Sequence, residues 1–217
     1  MFTNTNADEE LLEYTIDNNI LDKDFTIEEV STAINSLKRG KSGGIDCLTA
    51  DMFIDCKDQF APVLCKLFNY MFSTCLYPDS WTKGIIVPVP KKGDPNDVNN
   101  YRGITLTSIF SKIFSIMLDT RLRQWAETNE KLSQFQYGFR KNKNTVDCIF
   151  TLNSIINKVI HYEKKRLYCA FVDFRKAFDV VYRDGIWLKL FRAGVTTKIV
   201  NSYTGVKQGE PLSPLLF

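Results

Sequence analysis

The sequence predicts a mixed α/β (α+β) fold, on three observations. Apolar residues recur at helical spacing in several stretches, the first opened by a capping signal. Two short extended segments, GIIVPVP and YRGITLT, flank the turn-forming KKGDPND. A continuous apolar run, LYCAFV at 167–172, ends on Asp173 as a strand covered on both faces would.

Taken in order, residues 8–20 are acidic and weakly patterned, a loose helix or tail. In TIEEVSTAINSLKRG, Thr26 and Glu29 form a capping box, Ile27, Val30, Ile34 and Leu37 share a face, and Gly40 ends the helix. A second helix covers about 61–75, with Val63, Leu64, Leu67, Phe68, Met71 and Phe72 directed inward and Pro78 closing it. GIIVPVP and YRGITLT then make a β-hairpin with a basic tip, and its two prolines require an open edge. Helical spacing returns over 108–125 and 145–163, with the basic YGFRKNKN between them. After the 167–172 strand, Asp184 caps a last helix, GIWLKLFRAG, that ends on Gly194.

Charge is unevenly spread. Residues 1–60 carry five Lys/Arg against thirteen Asp/Glu, whereas 81–143 carry eleven against five and 144–217 eleven against six. An acidic lead-in before a basic body suits a polyanionic partner such as nucleic acid, although lysines on solvated helix faces give the same count. With one histidine, His161, and no C-x-x-C pair, the six cysteines do not spell a zinc site. They read as small buried hydrophobes of a reducing compartment. Neither a signal peptide nor an apolar run of membrane-spanning length is present, so an intracellular, soluble chain with no membrane partner is expected.

RGKSGG contains the GKS of a phosphate-binding loop, but the first glycine of that motif would fall at Asn35, inside a helix, and no strand precedes it. The glycines are expected to shape a loop. Asp173 is harder to dismiss. An ionised carboxylate at the end of a buried strand needs a cation or several hydrogen bonds. A divalent metal such as Mg²⁺ meets that need, and a helix cap is the competing account.

The end of the chain narrows the choice, because TGVKQGEPLSPLLF resembles the reverse transcriptases, and among them those of non-LTR (LINE-like) retrotransposons. The resemblance runs in order from about residue 25 to 217, through LKRGKSGGIDCLTADMF, IIVPVPKKGDPNDVNNYRGITLTSIFSKIF, LSQFQYGFRKNKNTVDCIFTL, FVDFRKAFD and GVKQGEPLSP. It implies a right-hand polymerase fragment: an acidic lead-in over 1–24, fingers of helices and a β-hairpin over 25–165, and a partial palm with an incomplete sheet over 166–217. The implied reaction adds deoxynucleotides to a primer on an RNA template, with Mg²⁺ or Mn²⁺ as cofactor. Implied partners are the RNA template, the DNA primer and deoxynucleoside triphosphates. A nucleic-acid-binding remnant without catalysis is the alternative.

Roles follow position by position from that resemblance. Asp173 matches the catalytic acid that binds both metals, and Phe174 the neighbour whose carbonyl helps hold one. Phe178 matches the aromatic that excludes a 2′-hydroxyl, Lys91 or Lys92 with Arg102 the residues that hold the triphosphate, and Gln208 and Gly209 the loop beside nucleotide and template. The competing accounts are a core role for Phe178, a solvated turn for Lys91 and Lys92, and a local pair for Arg102. Tyr137, Phe139, Arg140, Lys141 and Lys143 form a basic, aromatic segment suited to nucleic acid. The family's paired-aspartate palm motif does not occur within the 217 residues, GVTTKIVNSY is a shortened link to GVKQG, and Gly103 stands where proline is common. An inactive, internally shortened fragment is therefore expected.

Overall fold

The computed structural model describes residues 20–174, 182–196 and 198–200. Its elements are α1 (Ile27–Asn35), α2 (Ala50–Asp55), α3 (Lys57–Thr74), β1 (Ile85–Pro90), β2 (Tyr101–Leu106), α4 (Ile109–Thr128), α5 (Thr145–Ile156) and α6 (Arg183–Ala193). The fold is thus mixed helix and strand with one two-stranded sheet among the described residues. Residues 20–125 with 182–200 make one compact unit and 126–174 a second.

In the first unit, the capping box that starts α1 is present: Thr26 Oγ1 accepts from Glu29 N at 3.2 Å, and Thr26 N donates to Glu29 Oε2 at 2.8 Å. The helix stops at Asn35, before Gly40, which adopts a φ of 66° further on. Val30, Ala33, Ile34 and Leu37 are buried, but Ile27 is half exposed. Helical Cβ atoms lean toward the N-terminus, so a first-turn side chain overhangs the packed face.

Helix α3 begins at Lys57 and carries Pro62 inside it. A proline this close to the start removes only one early hydrogen bond. Its buried face is Ala61, Leu64, Cys65, Phe68, Met71 and Phe72, while Val63 and Leu67 are exposed. The expectation that those two lie inside is therefore corrected. The helix is apolar on several sides, and the small, readily buried Ala61 and Cys65 decide which side packs.

The core gathers where α1, α3 and α4 meet the residues ahead of α1. Phe25 lies 5.0 Å from Phe72 and 5.9 Å from Phe114 between ring centroids, and Phe68 lies 5.3 Å from Phe114. Leu21, before α1, and Ile199, beyond α6, are fully buried in the same unit. Thr196 Oγ1 donates to Asp22 Oδ1 at 2.8 Å, which ties these two stretches together.

Three further expectations fail among the described residues. Of the six cysteines only Cys65 is buried; Cys47, Cys56, Cys148 and Cys169 are exposed. Helix α6 begins one residue ahead of Asp184, because the N–H groups of Gly185 and Ile186 both reach the Tyr182 carbonyl, which makes Tyr182 the N-cap. Gly194, with a φ of 100°, ends that helix as expected. Residues 167–172 form no strand, and Tyr168, Phe171 and Val172 are exposed. A strand needs a partner for its N–H and C=O groups, and the described residues supply none here.

Candidate nucleotide and nucleic-acid surface

The β1–β2 hairpin is built so that its prolines do no harm. Pairing is antiparallel, with Pro88 opposite Gly103 and Val89 opposite Arg102. Lys91 N donates to the Asn100 carbonyl at 2.7 Å, which extends the ladder one pair past the strand end. Hydrogen-bonded pairs alternate in such a ladder, so the odd-numbered residues of β1 exchange bonds with β2. Pro88 and Pro90 fall at the positions whose nitrogen faces away, where a missing N–H breaks nothing. Position 103 has the same property, so the proline common there in the resembling family would also spare the ladder, although any β-carbon would meet Ile86 Cγ2 at 3.1 Å.

The tip is fastened by polar bonds. Asp94 Oδ1 accepts from Asn96 N at 2.9 Å, Asn100 Nδ2 donates to the Asp94 carbonyl at 3.0 Å, and Tyr101 Oη donates to the Pro95 carbonyl at 2.9 Å. Gly93 adopts a φ of 139°, which side-chain-bearing residues rarely do, and a β-carbon there would sit 2.7 Å from Asn100 Nδ2, so the Asn100 side chain would have to shift.

This register sorts the cations. Val89, Lys91, Asn100 and Arg102 share one face of the ribbon, because side chains alternate along each strand and Lys91 pairs with Asn100. Lys92 is one residue on, in the turn. Lys91 and Arg102 are therefore brought onto one face, both exposed.

In the second unit, Asn144 and Asp147 form a capping box that starts α5. Ahead of it, Phe139 and Asn142 adopt positive φ, at 60° and 61°. Arg140 Nε and Nη2 donate to the two Glu127 carboxylate oxygens at 3.0 and 2.6 Å, and its Nη1 to the Ser133 carbonyl at 2.8 Å. With only 15% of its side chain exposed, Arg140 is committed to fastening this turn. Lys143 Nζ lies 4.8 Å from the Tyr137 ring centroid, while Phe139 and Lys141 face solvent. The apolar residues of α5, among them Val146, Ile149 and Phe150, are also exposed, and the helix buries none.

Asp173 and Phe174 are exposed, in a stretch, 167–174, that carries no regular secondary structure. No group of three or more His, Cys, Asp or Glu side chains disposed to hold a metal occurs among the described residues. As a donor set, one exposed carboxylate and one backbone carbonyl suit Mg²⁺ only in part, since most of its octahedral positions would stay with water or substrate oxygen. Phe178, Gln208 and Gly209 lie outside the described residues. No helix among the described residues is long and apolar enough to cross a membrane.

One arrangement escaped the sequence reading. Arg121, on α4, is buried and binds Glu29 of the capping box, with Nε at 2.7 Å from Oε1 and Nη2 at 2.9 Å from Oε2. It also donates to the Lys23 and Asp24 carbonyls and lies over the Phe25 ring, 4.1 Å from the centroid. The only local signal is a charged residue on the apolar stripe of α4, which does not name its partner.

Comparison with known proteins places the chain in a family. The family profile described as "Reverse transcriptase (RNA-dependent DNA polymerase)" matches residues 89–217. A Drosophila melanogaster protein named as a probable RNA-directed DNA polymerase from transposon BS is 29% identical over 219 residues, covering 90% of this chain and 24% of that protein. The RNA-directed DNA polymerase from mobile element jockey of the same species is 27% identical, covering 88% of this chain and 24% of that protein. The Pol polyprotein from type-1 retrotransposable element R2 of Popillia japonica is 29% identical over 166 residues, covering 64% of this chain and 22% of that protein. The chain belongs to the reverse transcriptase family, as a partial domain of the non-LTR, LINE-like type found in mobile elements. It spans about a quarter of the length of the first two relatives.

Proposed function

We propose that these residues are the fingers, over 25–165, and part of the palm, over 166–217, of a retrotransposon polymerase that adds deoxynucleotides to a primer on an RNA template. The register of the hairpin carries this reading: Lys91 and Arg102 fall on one exposed face, as two cations must to hold one triphosphate. Lys91 supplies a point charge and Arg102 a planar fork. Lys92, one residue into the turn, is the weaker candidate.

Asp173 would hold the metal, with the Phe174 carbonyl beside it. Bound Mg²⁺ would neutralise the triphosphate and align its reacting oxygens. Phe178 would police the 2′ position, and Gln208 and Gly209 would lie along nucleotide and template. In the second unit, Lys141 and Lys143 meet phosphates and Phe139 offers a stacking surface, while Arg140 holds the turn through Glu127.

A DNA primer annealed to an RNA template should bind the chain with an affinity that falls steeply as salt rises, since lysine contacts release counterions. Changing Lys141 and Lys143 together should weaken binding for every sequence tried. No binding at low salt, or binding indifferent to salt, overturns the reading.

A further inference from the structure

The two edges of the β1–β2 sheet are not alike. Because the odd-numbered residues of β1 bond to β2, its even-numbered residues turn their backbone groups outward, and two of these, Pro88 and Pro90, have no N–H to offer. Prolines so placed bar a further strand. On β2 the outward positions are Tyr101, Gly103 and Thr105, and each carries an N–H. Among the described residues no backbone hydrogen bond is made at these three positions, and Gly103 is exposed.

The open edge is complementary to itself. A two-fold axis through Gly103 lays β2 antiparallel to the same strand of a second copy, with Gly103 opposite the partner's Gly103 and Tyr101 opposite the partner's Thr105. All the outward groups then face one another, so each such pair exchanges both of its backbone bonds. Arg102 falls opposite the partner's Ile104. No like charges meet, and the arginine stem covers a side chain that is 45% exposed. Tyr101 beside the partner's Thr105 sets an aromatic against a β-branched residue, a favourable cross-strand pair. We propose that β2 is the docking edge for a second copy of this chain, the two hairpins joining into one continuous antiparallel sheet.

Position 103 decides whether the edge is open. Proline, common there in the resembling family, would leave the bonds to β1 intact but would remove the N–H at the axis from both copies and set a ring on the shared edge. Glycine keeps that N–H. The contact is small, because the turn Val98–Asn100 precedes β2 and Leu106 ends it. It belongs with interfaces under about 1,200 Å², which associate transiently, so the dimer forms at high concentration. The pairing rests on backbone register and stands whether or not Lys91 and Arg102 hold a triphosphate.

The test is sedimentation velocity of the whole 217-residue chain over a wide concentration range, in reductant because four of the cysteines are exposed. Monomer and dimer should exchange with concentration. Added salt should not weaken the dimer, since both copies carry the same net charge of +3. Gly103→Pro should raise the dissociation constant at least about tenfold through the lost N–H groups, whereas Gly103→Ala, which keeps them, should stay within about threefold of the parent. Either new β-carbon meets Ile86 Cγ2 at 3.1 Å, so the alanine variant also controls for that contact. Two further variants read the register without altering the backbone. Ile104→Glu places an acid opposite the partner's Arg102 and should tighten the dimer about threefold, while Ile104→Lys should loosen it about as much. Should Gly103→Pro fail to fold, the Ile104 pair decides. A chain that is monomeric throughout, a dimer indifferent to Gly103→Pro, or equal shifts in the two Ile104 variants overturns the proposal.

Discussion

Arg121 joins the stretch before α1 to α4, because one guanidinium reaches the Glu29 carboxylate and two backbone carbonyls while lying on Phe25. Burial alone would push the Glu29 carboxyl up, but the Arg121 bond and charge, with the Thr26 N–H, outweigh it and hold Glu29 below the ordinary glutamate range. A carboxyl depressed in the folded state contributes stability above its unfolded range, and that contribution fades as the pH falls through the folded value. Arg121→Met leaves the carbonyls and a carboxylate without their donor and should destabilise the fold by about 3 kcal/mol in urea unfolding. Because Glu29 is about a third exposed, water screens the pair and Glu29→Gln should have the smaller effect, about 1 kcal/mol. Its difference from the parent should vanish in acid; a gap that persists there would mean the carboxylate charge is not involved. The cysteines can be counted by their reaction with a maleimide under native conditions. Cys47, Cys56, Cys148 and Cys169 should label well before Cys65, whose thiol is pushed up by burial and by the charges of Glu29 and Asp24.

At the scale of elements, the hairpin makes the most specific claim. A charge-assisted contact to phosphate is worth about 1.5–3 kcal/mol, so Lys91→Ala and Arg102→Ala should each weaken binding of a magnesium deoxynucleoside triphosphate about tenfold or more. Lys92→Ala should stay within about threefold of the parent, since one residue into the turn it has no fixed place on the face that holds the other two. Calorimetric titration decides it, and equal losses at Lys91 and Lys92 would discard the face argument. This hairpin was readable in the sequence because prolines, turn residues and β-branched residues are local signals. So were α1, whose capping box belongs to the segment itself, and α4, whose apolar spacing does. The strand expected at 167–172 was not, because a strand is completed by a neighbour and composition does not name one. The buried side of α3 was misjudged for a related reason: Val63 and Leu67 are as apolar as Leu64, and only tertiary packing selects Ala61 and Cys65. Helix α5 has the periodicity of a packed helix, yet it is exposed within the described residues, where periodicity reports what a helix can bury and not what it meets.

At the scale of the whole chain, the prediction is that these 217 residues do not extend a primer by themselves. Phosphoryl transfer depends on metal ions fixed between the attacking and leaving oxygens, and fixing them takes several carboxylates from more than one segment. The proposed assignment gives Asp173 as one of them, and two adjacent aspartates occur nowhere in the sequence. A single carboxylate with one carbonyl leaves Mg²⁺ mostly hydrated and free to exchange, so the primer oxygen is not held in line with the α-phosphate. Positioning of that kind is worth about 7–11 kcal/mol of a barrier, and its loss would take the rate below detection. Binding needs far less. Lysines on the hairpin and on the 137–143 turn can meet phosphates one at a time, so the chain should hold a primer and template that it cannot join to a nucleotide. The decisive measurement is primer extension on an RNA template with Mg²⁺ and then Mn²⁺, run beside Asp173→Asn and beside a binding titration of the same samples. Binding without extension is the expected result. Extension that disappears in Asp173→Asn would overturn it, and would require that the remaining metal ligands come from acids elsewhere in the chain or from a second copy.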